Sequence, residues 1–154
     1  MQAHRILTFN WHDPYLYMFS KVGGEIAVGD WMRRADGTCG WDLRKRPVPE
    51  NVLLLRRPEE AAERLESGEV DLAVCHTLQD LRFLQPFAVP TIYLAHNALH
   101  TDAANDRGRM ARVREEVEGA LDRRGGVFAA ISPMKLTSWG MEGFVVLPGM
   151  DLED

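Results

Sequence analysis

The sequence predicts an α/β fold in which a mostly parallel sheet of about seven strands is covered by helices on both faces. Three observations predict it. Short, nearly continuous apolar runs recur along all 154 residues, the composition of strands buried on both faces of a sheet. Segments of helical period, each with start or stop signals, alternate with those runs. The composition is 45% hydrophobic and 27% charged with 8 prolines, that of an ordinary globular chain long enough to bury one core as a single domain.

Arg5 to Trp11 is the first strand. His12-Asp13-Pro14 breaks it, and Pro14 suits the first turn of a helix whose apolar face is Tyr15, Leu16, Met18, Phe19 and Val22. Gly23-Gly24 follows that helix and precedes Glu25-Ile26-Ala27-Val28, the second strand. A phosphate-cradling loop would instead lie between a strand and a helix, so the glycines read as a C-cap.

Trp31 to Pro49 shows no period and carries Arg33, Arg34, Arg44, Lys45 and Arg46 beside Trp31 and Trp41. This reads as a long loop. Its basic and aromatic residues suit an anionic or sugar-like ligand, and equally a solvated loop pinned to the core by tryptophans.

Asn51 to Leu55 is the third strand, and Pro58, Glu59, Glu60 and Gly68 bracket a helix from start to stop. Val70 to Cys75 is the fourth strand. Thr77-Leu78-Gln79-Asp80 has capping-box spacing and opens a short helix with Leu81 and Leu84 inward. Val89 to Ala95 is the fifth strand. A polar stretch, Thr101 to Asp106, then leads into the longest helix, whose inner face is Met110, Val113, Val117, Ala120 and Leu121. Arg112 with Glu116, and Arg114 with Glu118, are spaced as ion pairs on its solvated face. Val127 to Ile131 is the sixth strand, Met134 to Trp139 a short segment, and Phe144 to Leu147 the seventh strand. Pro148 to Asp154 reads as an exit from the domain. The alternation gives a Rossmann-like three-layer α/β/α sandwich.

A net charge of -5 argues against nucleic acid as a partner, since phosphate-backbone binders carry a basic excess. No apolar run of about 18 residues occurs, and the first strand begins near the N-terminus, so neither a spanning helix nor a secretory signal is expected. A cytoplasmic protein follows, with peripheral membrane contact left open. Cys39 and Cys75 are far apart in sequence, and a disulfide is not expected.

Polar or ionisable residues close four of the strands: Asn10 with His12, His76 with Thr77, His96 with Asn97, and Ser132 with Lys135 just beyond. In open α/β sheets, ligands bind beyond the carboxyl ends of the strands. Thr77 already has a structural task as a helix cap. His-x-x-x-His, Cys-x-x-Cys and paired-carboxylate spacings are all missing, so no metal is expected. Gly-x-Ser-x-Gly around Ser132 and Gly-x-Gly-x-x-Gly after the first strand are missing too, which sets aside a serine nucleophile and a dinucleotide cofactor. No cofactor is expected. What remains is polar recognition by neutral imidazoles, an amide and hydroxyls, groups that donate to and accept from sugar hydroxyls or a carbonyl.

An N-terminal strand and helix, Asp71-Leu72-Ala73-Val74-Cys75-His76-Thr77, Pro90-Thr91-Ile92-Tyr93-Leu94-Ala95-His96-Asn97, Ile131-Ser132-Pro133-Met134-Lys135, and Val145-Val146-Leu147-Pro148-Gly149-Met150-Asp151-Leu152-Glu153-Asp154 occur in that order. The ordered set resembles the amino-terminal, acceptor-side half of GT-B glycosyltransferases of the family-4 type, over nearly the whole chain. The resemblance implies that His96 approaches the transferred sugar as the catalytic-site histidine, and that His76 lines the cleft. It also implies that Ser132 and Lys135 enter the cleft near the domain boundary. Asn10, His12 and Asn97 are further substrate-binding candidates from their places at the strand ends. The acceptor would be a sugar, lipid or glycan. The nucleotide-sugar donor would be held by a C-terminal domain, with its Glu-x7-Glu carboxylates, that these 154 residues lack; this chain alone is then expected to be inactive. The alternative is a non-catalytic Rossmann-like module that binds a small ligand or a partner protein.

Overall fold

The computed structural model describes residues 4–31 and 40–147. Its first half contains β1 (Arg5–Phe9), α1 (Asp13–Phe19), a 3-10 turn (Ser20–Val22), β2 (Glu25–Gly29), β3 (Val52–Leu55) and α2 (Pro58–Glu66). Then follow β4 (Leu72–Cys75), α3 (Leu78–Leu84), β5 (Thr91–Ala95), α4 (Leu99–Asp102), α5 (Arg107–Asp122), β6 (Val127–Ala130), α6 (Pro133–Trp139) and β7 (Phe144–Val145). The strands form a seven-stranded, all-parallel sheet of order β3-β2-β1-β4-β5-β6-β7, a Rossmann-like α/β fold. By proximity of Cα atoms the chain divides into two compact units, Met1–Ala73 and Val74–Asp154.

In the first unit, β1 pairs with β2 from Arg5 opposite Glu25, and β2 with β3 from Ile26 opposite Val52. Leu7, Phe9, Leu16, Ile26, Val28 and Ala61 are buried in this unit. Pro14 falls in the first turn of α1, as its fixed φ favours. The helix is shorter than its apolar pattern: it stops at Phe19, and Val22, expected on the inner face, is 62% exposed in the 3-10 turn. Gly24 has φ +79, and a Cβ there would lie 2.4 Å from the His4 carbonyl oxygen, so the turn into β2 accepts only glycine. Glu60 reaches back to accept from the backbone N–H of Arg56 at 2.7 Å, closing the start of α2. The long loop after β2 is described from Gly40 onward. Trp41 is buried and donates from Nε1 to the Arg46 carbonyl at 3.1 Å, which is the pinning role. Arg33, Arg34 and Cys39 lie outside the described residues.

In the second unit, Trp139 of α6 is fully buried against Tyr93 of β5 and Phe128 of β6, with ring centroids 5.6 and 5.3 Å away. Truncating such an aromatic costs roughly 3–5 kcal/mol, so this trio anchors the unit. Leu81 and Leu84 of α3, and Val113, Val117, Ala120 and Leu121 of α5, are buried as their spacing predicts. Cys75 is a buried free thiol that donates to the Ile92 carbonyl at 3.4 Å. Burial raises its pKa well above the ordinary thiol value.

Three expectations are corrected here. The stretch expected to be merely polar contains α4, a single turn at Leu99–Asp102. The expected ion pair of Glu116 with Arg112 gives way to a tertiary one, because Arg82 of α3 meets Glu116 through Nε at 2.6 Å and Nη2 at 2.8 Å. The seventh strand is only two residues long, and Phe144 to Leu147 are all exposed. Pro148 to Asp154 lie outside the described residues. Among the described residues, no helix is long and apolar enough to cross a membrane.

Candidate functional site

The residue immediately after a strand is polar at five places: Asn10, Asp30, Arg56, His76 and His96 follow β1, β2, β3, β4 and β5. Four of them are buried, Arg56 being the exception. They form two clusters, one in each unit.

In the second unit, His76 and His96 are 5% and 8% exposed, and Nε2 of His96 lies 3.1 Å from Nδ1 of His76. The two rings stand edge-on with centroids 5.0 Å apart. Burial, and then the neighbouring His96, hold the His76 pKa well below its ordinary value, so this imidazole is neutral. The two histidines predicted to line a cleft are therefore in direct contact. Asp80, in the first turn of α3, accepts from the backbone N–H of His76 at 2.9 Å and of Thr77 at 3.0 Å. Thr77 Oγ1 in turn accepts from the Asp80 N–H at 3.2 Å, the capping box that the spacing predicts. Burial pushes the Asp80 carboxyl up to about 6 against these hydrogen bonds.

Asn97 is exposed and donates to Asp102 Oδ1 at 3.0 Å, while its carbonyl accepts from Trp139 Nε1 at 3.0 Å. The turn beyond β5 is thus tied to α4 on one side and to α6 on the other. Ser132 is the N-cap of α6, its Oγ accepting from the Lys135 N–H at 3.3 Å. That bond gives Ser132 a structural task, and Lys135 is half-buried one turn into the helix.

In the first unit, Asn10 Nδ2 donates to Asp13 Oδ1 at 2.8 Å and to Asp30 Oδ1 at 2.6 Å. Asp30 also accepts from the Trp41 N–H at 2.9 Å and pairs with Arg56, and Asp13 accepts from the Asp42 N–H at 3.0 Å. The two acids therefore clamp residues 41–42 onto the ends of β1 and β2. They also fix the amide orientation of Asn10, because a flipped amide would aim its oxygen at two carboxylates. Asn10 Oδ1 is buried with no hydrogen-bond partner among the described residues. His12 is exposed at the N-cap position of α1, its ring tilted by 30° over Trp11 at 5.3 Å.

Asp13, Asp30 and Asp80 were not picked out as buried by sequence reasoning, since lone acids are seldom buried. Their position was the available signal: Asp30 stands one residue after β2 as Asn10 stands after β1. Among the described residues, no group of three or more His, Cys, Asp or Glu could hold a metal ion. An open groove of about 560 Å³, lined by Arg5, Glu25, Asn51, Val52, Arg64 and Glu69, lies at the amino ends of β1 to β3 of the first unit, away from the Asn10–Asp30 cluster. It contains none of the strand-end residues, so chemistry rather than concavity marks the candidate site. Comparison with protein-family models and with curated protein sequences finds no match to this chain.

Proposed function

We propose that the chain is the acceptor-side half of an enzyme that moves a sugar from a nucleotide-sugar donor to an acceptor hydroxyl. The observation that carries the reading is the buried, hydrogen-bonded pair of His76 and His96 at the ends of adjacent strands in a Rossmann-like sheet. Neutral imidazoles make directional hydrogen bonds without attracting an anion, which suits a ligand rich in hydroxyls. Asn97, exposed one residue further on, adds an amide of the same kind. The family resemblance of the ordered motifs supports the same assignment. The donor would be bound by a second domain, and transfer would depend on orientation, this half holding an acceptor hydroxyl against the donor sugar. His96 then contacts the transferred sugar rather than acting as a general base. A cytoplasmic location and a sugar, lipid or glycan acceptor belong to the same proposal.

The test on the chain itself is a titration with methyl glycosides followed by the NMR signals of the histidine rings and the Asn97 amide. Saturable shifts of His96 and Asn97 are expected. Flat signals at about 10 mM, where a millimolar site is filled, overturn the reading. A second reading, a non-catalytic binding module, is favoured by one observation: the mutual hydrogen bond gives both histidines a structural role without any reaction. Binding without transfer in the complete protein selects it.

A further inference from the structure

β3 is one edge of the sheet, and its backbone is paired on one side only. The Ile26 N–H donates to the Asn51 carbonyl at 2.9 Å, and the Asp30 N–H to the Leu55 carbonyl at 2.8 Å. Backbone groups alternate in direction along a strand, so Asn51, Leu53 and Leu55 face β2, whereas the Leu54 N–H and the Leu54 and Val52 carbonyls point the other way. The Asn51 amide donates to the Ser20 and Gly24 carbonyls at 3.0 and 3.1 Å, which fixes the start of the strand. Sheet edges are commonly guarded by a charged side chain, a proline or a bulge. Val52-Leu53-Leu54-Leu55 pairs with β2 residue for residue and carries none of these, and Leu53 is 48% exposed.

A groove runs beside this edge. Two hollows of about 560 and 490 Å³ share Leu53, Arg64 and Glu69, one reaching the amino ends of β1 and β2 and the other the turns of α2. Five carboxylates line them, Glu25, Glu50, Glu60, Glu63 and Glu69, against two guanidiniums. Both guanidiniums are engaged within the fold, Arg5 with Asp71 at 2.7 Å and Arg64 with Glu69 at 2.9 Å. The surplus of negative charge selects the occupant. A second copy paired through β3 would set these carboxylates against their own kind, whereas lysine or arginine side chains would meet them favourably. We propose that the β3 edge is a docking site for an extended, basic segment of a partner protein, which adds a strand to the sheet through Leu54 and Val52 and lays its cationic side chains over the groove. This site is independent of sugar transfer, since no residue of the groove belongs to the Asn10–Asp30 cluster or to the histidine pair.

The probe is an extended peptide of three Lys-Val repeats, capped at both ends, with three Glu-Val repeats as the control, each titrated into the 15N-labelled chain. Saturable shifts of the Leu54 amide and its β3 neighbours, with slower exchange of the Leu54 N–H, are expected for the basic peptide. The acidic peptide is expected to bind at least about tenfold more weakly, and added salt to weaken the basic one. Flat β3 signals at about 10 mM basic peptide, enough to fill a millimolar site, overturn the docking site, and equal binding of the two peptides overturns the charge selection. Leu54→Pro deletes the outward N–H, a change that an edge strand accommodates. Folded Leu54→Pro is expected to bind the basic peptide about tenfold more weakly, the effect of losing one hydrogen bond, and undiminished binding overturns strand addition. If Leu54→Pro does not fold by circular dichroism, the double variant Glu50→Lys and Glu63→Lys, changed only at exposed side chains, decides: weaker binding of the basic peptide supports the docking site and unchanged binding overturns it. A dimer of the free chain that the double variant or Leu54→Pro abolishes gives the edge to a second copy and overturns the proposal as well.

Discussion

The Asn10 amide donates to the Asp30 carboxylate at 2.6 Å, joining the residue after β1 to the residue after β2. Asp30 is 3% exposed and also receives the Trp41 N–H and the Arg56 guanidinium. Asp30→Ala therefore leaves three donors without their acceptor. A destabilisation of about 3 kcal/mol is expected, read as a lower urea midpoint at unchanged slope. A loss below about 1 kcal/mol would mean that water replaces the carboxylate at little cost.

The fold was legible because its signals are local. Continuous apolar runs gave strands buried on both faces, and Pro14, Pro58 and the Thr77–Asp80 box marked helix starts that the structure contains. The misses are tertiary. Glu116 was assigned by spacing to Arg112, but a neighbour on α3 is a partner that no spacing along α5 can reveal. The turn at α4 is four residues long, too short to show a period. Of the candidate site, the histidines at the ends of β4 and β5 were legible. Their direct bond and the buried acids were not, since side-chain direction depends on packing.

Asp80 makes stability depend on pH with a definite sign. Its folded pKa is raised from 3.8 to about 6 by burial, so the fold favours the protonated carboxyl. The stability this contributes is present below about pH 3.8 and is lost as pH rises to about 6. The full effect is roughly 3 kcal/mol. Asp80→Asn keeps an oxygen for the His76 and Thr77 N–H groups and cannot ionise. It is expected to raise Tm relative to the wild type at pH 8 and to give a smaller gain at pH 4. Equal gains at both values contradict this.

Ala104 has φ +51 and Asn105 φ +60, two successive left-handed residues in the turn from α4 to α5. Asparagine tolerates that region and alanine does not. Ala104→Gly relieves the Cβ clash and is expected to stabilise by about 1 kcal/mol, offset in part by the added freedom of the unfolded chain. A fall in Tm in differential scanning calorimetry contradicts it.

The Arg82–Glu116 contact joins α3 to α5 through two parallel hydrogen bonds, yet the Arg82 side chain is 60% exposed. Solvent and salt screen such a pair. A double-mutant cycle with Arg82→Ala and Glu116→Ala is expected to give a small favourable coupling that shrinks in 1 M salt. No coupling at low salt would show that the pair does not tie the helices.

The account turns on His96 contacting the transferred sugar. The most direct measurement is sugar transfer from nucleotide-sugar donors by the complete protein that carries this sequence, comparing wild type with His96→Ala at matched folding. The account predicts a fall in kcat/KM of about 100-fold, the scale of losing one well-placed hydrogen bond to the reacting group. Unchanged transfer by His96→Ala would contradict it.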